Sequence, residues 1–388
     1  MPTELPFIVL QALVHNFLHN ASCFGFFLDT QAFHDAITSP DGRHLPPVLL
    51  NVMYLFGVYL SGDPKITVYE PAFLTHALRS TASSLSGTHP RTILHSMQAS
   101  VLLAYYFMRN ARFLEGKYHI SAAVSIALSA GLHRIRAADD GGASAYGTAL
   151  APPKDLAEEG ERISAFWRMG ASSNVSYGPT GLMIDTPWPL DIADYVEQPH
   201  LLPPQSSGTV AKFLGSIPDG VTSVAALYAK AAILYEEATR IGGVCPDESE
   251  FTALDRKIEA FTPTLPPIQS KKMLVVHTLC HCAAIQLHDP LVKALAAARA
   301  VVTIISNTDI PKVGLIDPVL ATLWTTTCVT FMTEIQLQCN QQNISDLEYC
   351  VDSVIAAMEN FAPHCRLMTV QLEAVRQAYA GVRSHPDP

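Results

Sequence analysis

The sequence predicts an all-α protein, a large multi-helix bundle of antiparallel helical hairpins. Three observations carry this. Ala- and Leu-rich runs recur with helical period along most of the 388 residues, and β-type alternation is sparse. Nearly half of the residues are apolar (49%) and only 15% are charged. A chain of this length and apolarity buries a large core and is not a disordered one. One domain spanning residues 1–388 is expected, with its core at about 45–340 and flexible loops at about 138–157 and 192–221.

Residues 1–37 read as a helix followed by a short second one, with Leu10, Leu13, Val14 and Phe17 facing inward. Ser39-Pro40-Asp41-Gly42 is a turn signal. Pro46-Pro47 starts a very apolar helix from Val48 to Leu60, stopped by Ser61-Gly62-Asp63-Pro64. Glu70 to Ser83 is amphipathic.

The scaffold element is Ile93 to Leu132. Ile93, Met97, Val101, Tyr105 and Met108 fall at steps of four and three, forming one apolar stripe. Asn110 and Gly116 break the pattern, and Ile120, Val124, Ala127, Leu128 and Gly131 resume it. Two stripes joined by a short polar turn make an antiparallel hairpin, and each stripe needs further helices to cover it.

A small, polar stretch from Ala138 to Pro153 follows. Glu158 to Met169 is helical, with Ile163, Phe166 and Trp167 inward. Asn174 to Pro189 is irregular, and Ile192 to Ser207 reads as a Pro/Ser/Gly-rich loop. Helices are then expected over Thr222–Ile241, Glu248–Phe261, Lys272–Leu287, Leu291–Ser306, Asp317–Leu337, Asp346–Phe361 and Leu367–Val382. The run from Lys272 has so few polar residues that it should be central.

A formal charge of −10 argues against a surface that grips phosphate backbones, and Arg134 with Arg136 is too little for a basic patch. The eight cysteines contain no C-x-x-C pair, and reduced, mostly buried thiols are expected. Asn343-Ile344-Ser345 fits a glycosylation sequon, which matters only in a secreted protein. The apolar N-terminal stretch is interrupted by Gln11, His15, Asn16, His19 and Asn20, so it reads as a packed amphipathic helix rather than a membrane span or a signal peptide. A soluble, intracellular protein is expected.

Chemistry-bearing patterns are few. His277 and His281 sit at i and i+4 beside Cys280, Cys282, His288 and Asp289, a spacing that can chelate a metal. Thr278 stands where a metalloprotease helix has its glutamate, so the pattern reads as core or interhelical hydrogen-bonding histidines. Asp139-Asp140 is similar to the start of the aspartate-rich Mg²⁺ motif of terpene cyclases, but Gly141-Gly142-Ala143 follows, so a solvated loop is expected. Phosphate-cradling Gly-x-x-x-x-Gly-Lys and the G-x-S-x-G elbow do not occur. Trp167, Trp188 and Trp324 are isolated and read as core. No residue is assigned a catalytic, cofactor-binding or metal-binding role.

Several stretches, in order, resemble the middle homology region of fungal-specific, zinc-binuclear-cluster transcription factors. They are PPVLLNVMYLFGVYLSGD; the second hairpin helix with Ala123, Ala127, Leu128, Gly131, Leu132, His133 and Arg134; and the segment holding Glu161, Arg162, Trp167, Gly178, Pro179, Asp185 and Pro189. The helices from VVHTLCHCAAIQLHDP onward continue the resemblance to about residue 340. The family carries a six-cysteine cluster binding two zinc ions, of which no trace occurs in these 388 residues. Where it commonly has an Asp after the Trp helix, this chain has Ser172-Ser173-Asn174.

The resemblance implies an all-α regulatory domain, a nuclear setting and control of RNA polymerase II transcription. It implies homodimers or heterodimers with related factors, contact with the transcription machinery or a small-molecule effector, DNA contact only through the missing zinc cluster, and no membrane. Other readings are a helical effector-binding or dimerisation module without DNA binding, and an all-α enzyme.

Overall fold

The computed structural model describes residues 5–38, 46–86, 90–137, 150–170, 183–242, 247–288, 292–337 and 341–384. Among them the fold is all-α: eighteen α-helices with short 3₁₀ turns and no strand, only an isolated bridge between Ala137 and Ser206. The chain divides into two compact units. The first is Met1–Met108, Arg112–Ser173 and Ile184–Thr209; the second is Arg109–Ala111, Asn174–Met183 and Val210–Pro388.

The first unit contains α1 (Phe7–Asn20), α2 (Thr30–Thr38), α3 (Pro47–Ser61), α4 (Pro64–Thr67) and α5 (Glu70–Ala82). It continues with α6 (Pro90–Arg109, in this unit to Met108), α7 (Phe113–Ser129), α8 (Leu156–Gly170) and α9 (Asp194–Glu197). Pro47 in the first turn of α3 and Gly62 beyond its end, at φ +64°, set the expected start and stop. Between them Val48, Leu49, Val52–Val58 are all buried, with α1 on one flank and α5 on another. Backbones approach closely there: a Cβ at Gly57 would lie 2.3 Å from the Leu13 carbonyl oxygen. Phe17, Phe24 and Phe56 pack as tilted rings around that approach, with Phe26 edge-on to Phe17.

The hairpin forms as expected, with Phe107 near the end of α6 stacked on His119 of α7 (centroids 5.4 Å, 13°). Met108 fills the space above Gly116, where a Cβ would meet it at 2.9 Å. The apolar stripes are displaced, however. Leu94–Ala104 are buried throughout, while Ile93, Tyr105 and Met108 are only half-buried. On α7 the buried face is Gly116, His119, Ile120, Ala123 and Ala127, with Val124 and Leu128 half-buried. A helix covered around its whole circumference has no single inward stripe, so periodicity alone misplaces its face.

The second unit contains α10 (Thr209–Leu214, from Val210), α11 (Val224–Gly242), α12 (Glu248–Phe261) and α13 (Lys271–His288). After these come α14 (Val292–Asn307), α15 (Ile310–Val313), α16 (Val319–Leu337), α17 (Gln341–Phe361) and α18 (Arg366–Arg383). α13 is the central helix the sequence predicts, packed against α11, α12, α14 and α16. α16, α17 and α18 pack on one another around Trp324, which is fully buried. The six described cysteines are unbridged and all but Cys23 are buried; burial pushes the thiols of Cys280, Cys282 and Cys328 up to about 12.

The stretch 192–221 is more structured than the loop expected of it. It holds α9, a 3₁₀ turn at Pro199–Leu201 and α10. Pro199 stands at the first position of its turn, where it presets φ and gives up no needed N–H. Of the expected loop at 138–157, residues 138–149 lie outside the described residues, and Leu156 already begins α8. No helix among the described residues is long and apolar enough to cross a membrane.

Two predictions follow from the packing. Gly57→Ala forces a methyl into the α1–α3 contact and should destabilise the first unit by about 1–3 kcal/mol, read by urea unfolding. Glu236, half-buried on α11, has its carboxyl lifted to about 8, by burial first and then by the Glu237 charge. Its folded-state affinity for the proton exceeds that of the unfolded chain, with an ordinary value of 4.5. The resulting stability is complete below that value and is lost as pH rises towards about 8. Glu236→Gln should remove that fall, so the variant gains on the parent across this window in unfolding measured as a function of pH.

Candidate functional site: a polar junction on α8

The first half of α8 buries three charged residues, Glu158, Glu159 and Arg162. Isolated charges there would be strongly unfavourable, so each is paired. The Asp155 carboxylate accepts the Glu158 N–H at 2.8 Å, and acidic residues in the first turn suit the helix dipole. Arg162 donates to Glu158 one turn back (2.6 Å) and to the Ala151 carbonyl (2.8 Å). Burial works against the Glu158 anion, but the Lys154 N–H and Arg162 outweigh it and hold the carboxyl below its ordinary value. Glu161, on the next face, accepts the Asp29 N–H at 3.1 Å, and burial raises its carboxyl.

Just beyond α7, Gly131 (φ +74°) holds a left-handed position that favours glycine, and a 3₁₀ turn at Leu132–Arg134 redirects the chain onto α8. There it meets the buried segment 184–190. The Asp185 N–H donates to the His133 carbonyl at 2.9 Å. The Thr186 hydroxyl donates to the Leu132 carbonyl and accepts the Ile135 N–H. The Asp185 carboxylate accepts the Gly208 N–H at 2.8 Å and lies 3.6 Å from the Arg134 guanidinium. His133 turns Nδ1 inward without a hydrogen-bond partner among the described residues; burial, then Arg134, lowers its pKa and keeps the ring neutral at neutral pH. Deeper in, Trp167 donates its indole N–H to the Pro187 carbonyl (2.6 Å) and stacks on Trp188 with centroids 4.5 Å apart.

Arg136 completes the junction. Its guanidinium makes a bidentate pair with Glu159 and donates to the Pro203 carbonyl at 2.7 Å. Its own carbonyl accepts the Ser206 N–H at 2.7 Å.

This junction gathers most of the residues that carry the resemblance: Gly131, Leu132, His133, Arg134, Glu161, Arg162, Trp167, Asp185 and Pro189. Gly178 and Pro179 lie outside the described residues, as do Asp139 and Asp140. Glu159, Thr186 and Tyr195 also take part, and nothing in their local sequence distinguishes them; Arg136, which reads in the sequence only as half of a basic patch, pairs with Glu159 instead. The hydroxyls present, of Thr186, Tyr195, Ser206 and Thr209, are engaged by backbone groups or by one another. Among the described residues these contacts join segments to one another, and none pairs a nucleophile with a base.

The histidine pattern of the second unit resolves into separate contacts. His277 bonds the Pro266 carbonyl through Nε2 (2.8 Å), and His288 bonds Asp255 (2.7 Å), which Lys293 also holds. Burial, then His277, lowers His281 to about 4, leaving it neutral. Cys282 points at the Leu323 carbonyl. Among the described residues no three His, Cys, Asp or Glu side chains group to hold a metal ion. Of the six described cysteines, Cys23 belongs to the first unit and Cys280, Cys282, Cys328, Cys350 and Cys365, all buried, to the second.

Comparison with known proteins finds a family model that matches part of the chain. Residues 14–167, from α1 to the Trp of α8, match the family model described as the fungal specific transcription factor domain. No curated protein matches the chain, and no solved structure does. Over residues 14–167 the chain carries a fungal specific transcription factor domain.

Proposed function

We propose that the chain is the regulatory region of a fungal transcription factor that acts in the nucleus on RNA polymerase II transcription, and that it performs no catalytic step. The observation that carries this is the family match over residues 14–167. The charge of −10 agrees with it, since a regulatory region need not grip DNA itself. Sequence-specific DNA contact is made through a zinc cluster that these residues do not supply. Control is exerted by dimerisation with the same or a related factor, or by binding an effector or a protein of the transcription machinery, any of which biases a helical packing equilibrium.

The test is a reporter assay in fungal cells with the chain tethered to an unrelated DNA-binding domain. Reporter output should change relative to the untethered domain at equal expression, and a fluorescent fusion should be nuclear. Unchanged output with a stably expressed fusion refutes the reading. In parallel, the purified chain should give no sequence-specific gel shift at physiological salt; a specific shift refutes the assignment of DNA contact to a separate cluster.

A further inference from the structure

Within the first unit, residues 191–207 are held differently from everything around them. Residues 184–190 before them are all buried, whereas Asp191–Ala193 and Val196–Leu201 are exposed. Only Tyr195 and Leu202 point into the protein. Such a stretch has little apolar burial of its own, and its attachment rests on a few polar and steric fixings.

Those fixings lie mainly on α8, at Glu159, Gly160 and Ser164, whose hydroxyl bonds that of Tyr195. The Tyr195 ring lies against Gly160 so closely that a Cβ there would be 2.4 Å from it. Its hydroxyl accepts the Leu190 N–H at 2.9 Å, closing the start of the segment on itself. The end of the segment is held by Arg136. This residue is anchored by Glu159 and reaches the Pro203 carbonyl with its guanidinium and the Ser206 N–H with its own carbonyl. Arg136 does so at φ +62°, a left-handed conformation that disfavours any residue but glycine. The hydrogen bonds offset that strain, and losing them leaves it uncompensated.

We propose that residues 191–207 are a strap that opens off α8 as one unit, with Arg136 as its latch. Segments with low apolar burial and localised polar fixings open at a lower free energy than the helices beneath them. Opening bares the Tyr195 seat at Gly160 and the Arg136–Glu159 charges, both on the face of α8 that belongs to the matched domain. The strap thus supplies a discrete two-state element whose equilibrium a ligand or partner can shift. It is a property of the fold and does not depend on the transcriptional reading.

Native-state hydrogen exchange on the full chain tests this. The backbone N–H groups of Val196, Glu197, Gln198 and Leu202 bond carbonyls within the strap and that of Ser206 bonds Arg136; turns this short do not persist once off their seat, so all five report opening. In the parent they should exchange through one common opening, below the global transition of α3 and α5. Glu159→Gln and Arg136→Lys should each speed that opening roughly tenfold or more, with α3 and α5 unchanged. The decisive amides are those of Val196–Gln198, because Glu159 and Arg136 do not bond them; a merely local role would speed Ser206 alone. Exchange of these amides only by global unfolding, independent exchange of each, or acceleration confined to Ser206 would overturn the proposal. Should a variant lose α3 and α5 protection as well, the parent's exchange pattern decides between the strap and a rigid segment.

Discussion

Burying Glu158, Glu159 and Arg162 on α8 is the constraint on which the first unit's arrangement depends. A buried charge left alone is strongly unfavourable, and a buried pair needs further hydrogen bonds to break even with apolar packing. The chain meets this demand from several directions at once. Glu158 draws in the Lys154 N–H, Arg162 the Ala151 carbonyl, and Glu159 the guanidinium of Arg136. Each partner lies in a segment with no regular structure of its own. The paths of the chain into α8 and along its flank are therefore set by polar satisfaction more than by apolar contact.

The same logic runs through segment 184–190. It has no strand or helix to satisfy its backbone, yet it is buried, so its polar groups must find partners elsewhere. They find them in the turn after α7 and in the indole of Trp167: the Asp185 N–H on His133, Thr186 bridging Leu132 and Ile135, and the Pro187 carbonyl on Trp167. The turn residues, α8 and segment 184–190 form one hydrogen-bonded assembly. Its parts are far apart in sequence, and none satisfies its buried polar groups alone.

This explains what could and could not be read from the sequence. Helix existence and type were legible nearly everywhere, because period, prolines and glycines act locally: Pro47 and Gly62 bracket α3, and α12 spans Glu248–Phe261 as expected. The phase of α6 was not legible, since a helix buried around its circumference writes no stripe. Of the short helical turns between 192 and 221, the one at Pro199–Leu201 was hidden by its proline, which marks a turn start as readily as a loop, and α9 and α10 are too short to write a period. His133, Arg134, Arg162, Trp167 and Asp185 drew attention through a resemblance of order and spacing. Arg136 was legible only as part of a basic patch and Glu159 not at all, because the importance of an arginine depends on the carboxylate it meets, and that meeting is a fact of tertiary structure.

Both units bury charge, the second at Arg109, Lys230 and Glu237, but they differ in where it is gathered. In the second unit α13 is buried almost throughout, and its thiols are held neutral by their surroundings. Such a core transmits strain but has few polar contacts that a ligand could exchange for its own. In the first unit, carboxylates, guanidinium groups and backbone carbonyls already bond one another at the junction. An incoming polar or charged group could replace such a bond at little net change in free energy, because one hydrogen bond is exchanged for another. A ligand shifts a population only by the difference in its affinity for the two arrangements, and exchanging bonds here avoids the several kcal/mol that displacing packed apolar side chains costs. The bonds open to such exchange are gathered in the polar junction around α8, where Glu158, Glu159 and Arg162 are buried together.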